Sequence, residues 1–449
     1  MPIDTTRFRL PHPLVLLGAA VIVAAILTWI LPAGQYDRRE DAATGRRVVI
    51  AGTYHAVERA PVGPFATVIS IPRGLILGAD IIVLILFGGG AWVVVDRLGT
   101  LPAIVGWLVE RFAGRGLWVI PIVALFFATM GALENMQEEI IPLIPVLMTL
   151  GVGIGVDGVT VVAMSMASAF VGSAFGPANP FMAGIALKLA QLPPFGRGGL
   201  RLAMFVVGVT MWIAVTMRHA ARNRVFASVP PNPDATPTRE IGRRHVFILA
   251  IVLAPLAAYV YGSQKLDWGF NELSAGLLIA GIVAGVMGGM RVAPTVTNFL
   301  DGMMSVLPAA TMVGVARSIS LVLEDGRVVD TILHGMVTPL AHVPAFVAVL
   351  LMIPFQAVLH IPVPSVSGQA VLTMPLFAPV ADLLGFSREA AVVSYQTGAG
   401  LMELVTPTNG SLMAALLAAG IPLQRWLRFV ALGTLLLVLL GIAAAVLAM

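Results

Sequence analysis

The chain has 449 residues, of which 58% are hydrophobic and only 11% charged, far below the roughly one quarter that a soluble domain carries. A formal net charge of +4 is too small to argue for nucleic acid, and the absence of cysteine excludes disulfides, thiolate ligands and a cysteine nucleophile. This composition describes an integral membrane protein with helical spans of about 20 apolar residues; the roughly ten-residue alternation of a membrane barrel is absent.

Residues 1–13 carry Arg7 and Arg9 ahead of the apolar run 14–31. That is the outline of a signal peptide, but the run is long and leads into "PAGQYD" rather than a small-residue cleavage site, so it reads as a retained first span. A polar segment of mixed charge, 32–59, follows. Further apolar segments are expected near 75–95, 117–133, 140–152, 161–175 and 200–215. Arg73 and Asp80 read as interface residues. "FGGGAW", 87–92, lets backbones approach closely and offers a surface that can line a site, although such glycines are common in membrane helices.

"MGALENMQEEIIPLIP", 130–145, places Glu134, Glu138 and Glu139 between apolar flanks. A carboxylate in hydrocarbon costs several kcal/mol, so these acids should line a cavity, find partners, or sit in a re-entrant segment. An ordinary surface loop is the plain alternative. "GSAFGPANPF", 172–181, then breaks its helix: Pro177 removes a backbone donor and disfavours helical geometry before it, and Asn179 can cap the restarted half-helix.

From 218 to 245 the chain is rich in arginine and proline, which reads as a linker, cytoplasmic by its arginine excess. The N-terminus is placed on the same side. Apolar segments resume near 246–261, 273–286, 305–318, 344–359, 370–384, 390–399 and 412–421, before a closing span. Arg317 stands alone in its apolar surroundings; it can bind a carboxylate in bidentate fashion, snorkel, or pair with an acid such as Glu403. "HIPVPSVSGQAVLTMP", 360–375, carries two closely spaced prolines and Gly368, as in a hairpin tip, with Ser367 and Gln369 beside it. "MELVTPTNGSLM", 402–413, is a second break, with Glu403, Thr406, Pro407, Thr408 and Asn409.

The two halves match at an offset of 230: Pro145 answers Pro375, Pro177 answers Pro407, Asn179 answers Asn409, and the Glu138–Glu139 pair answers Gly368 and Gln369. Duplicated broken helices are the sequence pointer to a transporter's central site, because freed carbonyls hold a cation and freed amides a carboxylate. Structural proline kinks are the alternative. No HExxH or CxxC motif and no nucleophile elbow is present, so an enzyme is not expected and no structural metal site is assigned.

These residues resemble the bacterial YfcC-like membrane proteins, grouped with the anaerobic C4-dicarboxylate carriers and basic amino acid antiporters of the ion-transporter superfamily. The markers are "TWILPAGQYD" (28–37), "GGGA" (88–91), Glu138–Glu139, "NPF" (179–181), "VGVAR" (313–317), "SGQAVLTMPLFAPVADLLG" (367–385), "YQTGAG" and "PTNGSLMA". The resemblance implies an all-α polytopic secondary transporter in the bacterial inner membrane. It also implies inverted repeats, each with a re-entrant hairpin and a broken helix, an elevator mechanism and a homodimeric scaffold. Here "TPTNG" and "PANP" depart from the family's usual forms, which weakens any transfer of substrate.

The organisation expected is a first half, 1–217, with a hairpin near 130–145 and a broken helix near 172–181. The linker 218–245 and a second half, 246–449, follow, with a hairpin near 360–375 and a broken helix near 402–413. The expected function is coupled transport or exchange of a small carboxylate-bearing solute. Four acidic candidates against one core arginine favour an amino acid, basic ones included, over a dicarboxylate. Asn179, Asn409, Glu138, Glu139, Ser367, Gln369, Thr408 and Arg317 are the substrate-binding candidates, with Ser367 and Gln369 as the gate. Glu403, Glu138, Gly176, Pro177, Thr406 and Pro407 are the coupling candidates, with H+ or with Na+ near the two asparagines, and no other cofactor. The partners expected are the solute, the bilayer and a second copy, with no nucleic acid. A channel or a membrane scaffold is the alternative from another class.

Overall fold

The computed structural model describes residues 13–41, 46–101, 103, 107, 116–177, 179–193, 195–225, 242–266 and 268–449. The first twelve residues and most of the expected linker, 226–241, lie outside the described residues, and the placement of both with them. The arginines at the linker's ends belong to helices instead: Arg218 and Arg222 to Gly198–Arg222, Arg243 and Arg244 to Arg243–Lys265.

The chain is mostly helical. Eight helices among the described residues are long and apolar enough to cross a membrane by length and composition: Ala79–Arg97, Gly116–Glu134, Gly158–Phe175, Gly198–Arg222, Phe270–Met287, Val292–Asp325, Val366–Leu384 and Leu423–Ala448. The last shows how composition sorts the faces. Val430, Gly433, Leu437, Gly441 and Ala444 form a buried stripe at helical spacing, while Leu432, Leu435 and Leu439 point outward. An apolar outer face suits lipid, where water would have selected charge.

Two segment expectations need correction. The run 75–95 is two helices, Pro64–Leu77 and Ala79–Arg97, joined at Gly78, and a Cβ at Gly78 would stand 3.3 Å from the Arg317 side chain. The run 305–318 is part of a single 34-residue helix, Val292–Asp325. The glycine triplet 88–90 packs against this long helix: a side chain at Gly90 would enter the Phe299 ring, and one at Gly302 would strike the backbone of Gly89 and Gly90. Gly89 and Gly90 therefore close a helix crossing, while Gly88 packs against Pro142.

The expectation of an all-α chain also fails locally. In the polar segment, β1 (Gly34–Gln35) pairs with β4 (His55–Ala56), and β2 (Arg38–Asp41) with β3 (Arg46–Val49), both antiparallel. These strands dock on the helix Val329–Val337. Asp330 accepts from the Tyr36 amide at 3.0 Å and from Arg38 at 2.8 Å, and the Tyr54 ring stacks on His334 at 4.0 Å.

The remaining elements repeat local chemistry at the offset of 230. Ile144–Ile154 and Val366–Leu384 end at Gly155 and Gly385, with φ of 74° and 75°, a left-handed cap that glycine adopts without strain. Asp157 and Ser387 then cap the next helices with their side chains. Each of those helices passes through a π-helical turn, 163–167 in the first and 396–400 in the second, before breaking near its proline.

Candidate functional site

The first break runs from Phe175 to Pro180. Asn179 caps the restarted helix, its side-chain oxygen accepting from the amides of Phe181 (2.9 Å) and Met182 (2.8 Å). At the second break Asn409 does the same for Ser411 (2.9 Å) and Leu412 (3.1 Å). Proline chemistry explains the interruption, and the asparagines satisfy amides that would otherwise be orphaned in a buried setting.

Three of the carbonyls at the two breaks are already engaged by side chains. Gln396 donates to Ala174 O at 3.0 Å, Trp426 to Leu404 O at 2.8 Å, and Asn409 to Glu403 O at 3.4 Å. Asn179 donates to Gly131 O at 2.8 Å, at the end of the helix Val119–Glu134. The sequence reading left the carbonyls at the breaks open for a cation; in the fold Ala174 O, Glu403 O and Leu404 O each have a protein donor.

Beside the second break lies a cavity of about 650 Å³. Four pieces of chain supply most of its polar lining. The turn after Val119–Glu134 contributes Glu134, Asn135, Gln137, Glu138 and Glu139. The second break contributes Glu403, Thr408, Asn409 and Ser411. The long helix Val292–Asp325 contributes Arg317, Ser320 and Glu324, and the start of Val366–Leu384 contributes Ser365, Ser367 and Gly368. The turn is possible because Asn135 takes a left-handed φ of 59°, ending its helix one residue after Glu134.

Polar contacts tie these pieces together. Gln137 donates to Glu403 at 2.7 Å, joining the turn to the second break, and the Gln137 amide donates to Glu139 at 3.0 Å. Asn135 accepts from Ser173 and, at 3.3 Å, from Asn179, joining the same turn to the first break. Arg317 makes no ion pair with any described residue, so the expected alternative of an Arg317–Glu403 pair is not what forms; Glu403 is held by Gln137 instead. Among the described residues no group of His, Asp and Glu is arranged to hold a metal ion.

The fold thus gathers Glu138, Glu139, Arg317, Ser367, Glu403, Thr408 and Asn409 around one cavity. It leaves Asn179, Gly176, Pro177, Gln369, Thr406 and Pro407 outside that lining. Gln369 sits inside Val366–Leu384, where its side-chain nitrogen donates to Gln356 at 2.6 Å and its side-chain oxygen accepts from His360 Nδ1 at 2.9 Å. The helical chain is interrupted at 361–365, between Ala345–His360 and Val366–Leu384, and not at Gly368, whose amide is capped by Ser365. Thr406 bonds Thr408 at 2.8 Å. Asn135 and Gln137 were missed by the sequence reading, since neutral amides near three glutamates carry no pattern of their own.

Comparison with known proteins agrees with a carrier. The family model described as "C4-dicarboxylate anaerobic carrier" (DcuC) matches residues 10–449. A protein of Escherichia coli K12 named "Putative basic amino acid antiporter YfcC" is 29% identical, covering 98% of this chain and 96% of that one. An uncharacterized protein of Haemophilus influenzae is 27% identical, covering 94% of each. Among solved structures, the Alcanivorax borkumensis YdaH transporter aligns with a TM-score of 0.44 at 18% identity, covering 97% of this chain and 98% of its own. Neisseria gonorrhoeae MtrF aligns with a TM-score of 0.42 at 16% identity, covering 97% and 94%.

Proposed function

We propose, for a chain that belongs to the C4-dicarboxylate anaerobic carrier (DcuC) family, that it is a secondary transporter of an amino acid, basic in side chain, moved by coupling to H+ or Na+ or by exchange. One observation carries this reading: Glu134, Glu138, Glu139 and Glu403 share a cavity with the single cation Arg317. A zwitterion fits such a lining. Arg317 would take its carboxylate in a two-point contact, and the acids its ammonium groups. Glu403, buried and touched by one amide, would exchange a proton as solute arrives or leaves. Thr408, Asn409 and Ser367 would complete the polar shell.

The finer architecture follows the same reading. Matched caps at Gly155 and Gly385, Asp157 and Ser387, and Asn179 and Asn409 support two repeats inverted in the bilayer of the inner membrane. Each repeat would supply a re-entrant hairpin and a broken helix to a domain that slides against the rest of a homodimer. The family's own description favours a second reading, a C4-dicarboxylate carrier, in which Arg317 and the serine and amide donors hold a dianion while the acids are protonated.

The test is thermal unfolding of the purified carrier with lysine, arginine or succinate, at two pH values, with and without sodium. A ligand at a hundred times its Kd stabilises by about 2.7 kcal/mol. Stabilisation by lysine or arginine and not succinate is expected; the reverse pattern selects the dicarboxylate. Glu403→Gln should abolish accumulation against a gradient in proteoliposomes while the protein stays folded. A variant that accumulates solute normally rejects the role given to Glu403.

A further inference from the structure

A second cavity of about 370 Å³ lies against the first, and the two share Ser320, Glu324, Val363 and Leu372. Its outer wall is the strand segment, through Gly34, Gln35 and Arg38; its floor is Arg327, Val329 and Asp330. The wall is fixed where it meets the floor: the Gly34 amide donates to Arg327 O at 3.0 Å, and Arg38 pairs with Asp330.

One helix connects the chambers. Arg317, Ser320 and Glu324 stand at i, i+3 and i+7 on Val292–Asp325, one face of a helix that rises about 1.5 Å per residue. Arg317 faces the inner chamber, Ser320 and Glu324 border both, and Arg327, just past the helix end, lines the outer one. Arg327 holds a left-handed φ of 56°, a conformation that non-glycine residues rarely adopt. Among the described residues, neither Arg327 nor Glu324 nor Arg317 makes a side-chain hydrogen bond or ion pair. Three charges of alternating sign, unpaired among the described residues, therefore follow one another from the first cavity to the second across the residues the two share, about 10 Å from Arg317 to Glu324. At the doorway, Ser320 donates to Pro362 O at 3.3 Å, so the constriction rests on the interruption that precedes Val366–Leu384.

We infer that the outer chamber is a separate entry subsite for a small zwitterionic or carboxylate solute, which Arg327 and Glu324 hold transiently before it passes Ser320 to Arg317. The inference rests on the transport reading but not on which solute is carried. A solute held by its carboxylate on Arg327 can transfer that contact to Arg317 along the helix face, with Glu324 meeting an ammonium group when there is one. The subsite acts on arrival and departure; the inner chamber sets equilibrium affinity.

The experiment compares the wild-type carrier with Glu324→Gln, Arg327→Gln and Arg317→Gln, reconstituted in phosphatidylethanolamine–phosphatidylglycerol vesicles. Radiolabelled lysine and succinate are both used for uptake, and equilibrium binding is measured in detergent. With whichever solute the wild type carries, Arg327→Gln should slow uptake at subsaturating concentration about fivefold to tenfold and leave Kd within twofold. Glu324→Gln should do so for lysine, and Arg317→Gln should raise Kd more than tenfold. Uptake unchanged within twofold in both outer variants, or a Kd shift in them as large as that of Arg317→Gln, overturns the inference. If the wild type carries succinate alone, the amino acid reading fails while Arg327→Gln still decides the subsite. A measurement independent of solute uses the absence of natural cysteine. Ser320→Cys should react with a charged, water-soluble methanethiosulfonate at least tenfold faster than Leu300→Cys on the outward face of the same helix. Equal rates would mean no aqueous path reaches the doorway, and the inference falls.

Discussion

Arg201 is the largest buried charge in the fold, at 1% exposure, and its ion pair with Glu389 is 2.7 Å long, with Glu389 at 5%. It also donates to Gln396, which in turn holds Ala174 O beside the first break. A side chain at Gly196 would collide with the Glu389 carboxylate, so that group has little room to relax. Replacing Arg201 by methionine strands a carboxylate in a space it cannot leave, at a cost of about 3–5 kcal/mol. Removing both charges, as Arg201→Met with Glu389→Leu, removes the penalty with the pair and should return stability to within about 1 kcal/mol of wild type. The cycle should therefore show a coupling of at least about 2 kcal/mol. Reversible unfolding in mixed micelles, followed by fluorescence of the buried Trp212 and Trp426, measures all four proteins. The reasoning is refuted if Arg201→Met alone costs under about 1 kcal/mol, or if the double variant loses as much as the two single ones summed.

Two further outcomes follow from other contacts. Asn409→Ala removes the acceptor for two buried amides and should cost about 1–3 kcal/mol, whereas Asn409→Asp keeps that acceptor and should cost clearly less; equal losses in the same unfolding assay would mean the cap is not what Asn409 contributes. Burial alone would raise the Asp157 carboxyl, but hydrogen bonds from His219 and Thr160 outweigh it and hold the group at about 2. Because the folded value lies below the unfolded one, this stabilisation is present above about pH 4 and is lost as pH falls toward 2. Asp157→Asn should then cost about 1–2 kcal/mol at pH 7, discounted because its partner Arg425 is largely exposed, and the difference from wild type should vanish near pH 2. A gap that stays constant over that range would assign the loss to packing.

Much of the spanning framework was legible because lipid imposes a simple rule on side chains, and proline imposes one on backbones. The two breaks could be located to the residue, and their capping asparagines with them, since a buried helix restart needs an acceptor at that one position. The acids near 134–139 were legible as cavity residues because nothing else makes them tolerable in hydrocarbon. What stayed hidden depended on contacts distant in sequence. Gln137 on Glu403 and Asn135 on Asn179 span 266 and 44 residues, and neither amide is unusual where it stands. Gln369 was misplaced for the opposite reason: a polar residue near a proline pair suggests an exposed tip, while the fold turns it inward to Gln356 and His360. The strands at 34–56 were hidden by their shortness, since two to four residues show no alternation worth reading.

The indole on Leu404 O and the amide on Ala174 O have a mechanical meaning. A cation settling at either interruption must share its oxygen with Trp426 or Gln396, or push that donor aside. Trp426 belongs to the closing helix Leu423–Ala448 and Gln396 to the π-turn beside Arg201, so the ion would act as a wedge whose entry is felt in packing well away from the solute. Any binding at these points would then register as strain on the surrounding bundle, opposed by the grip of a tryptophan.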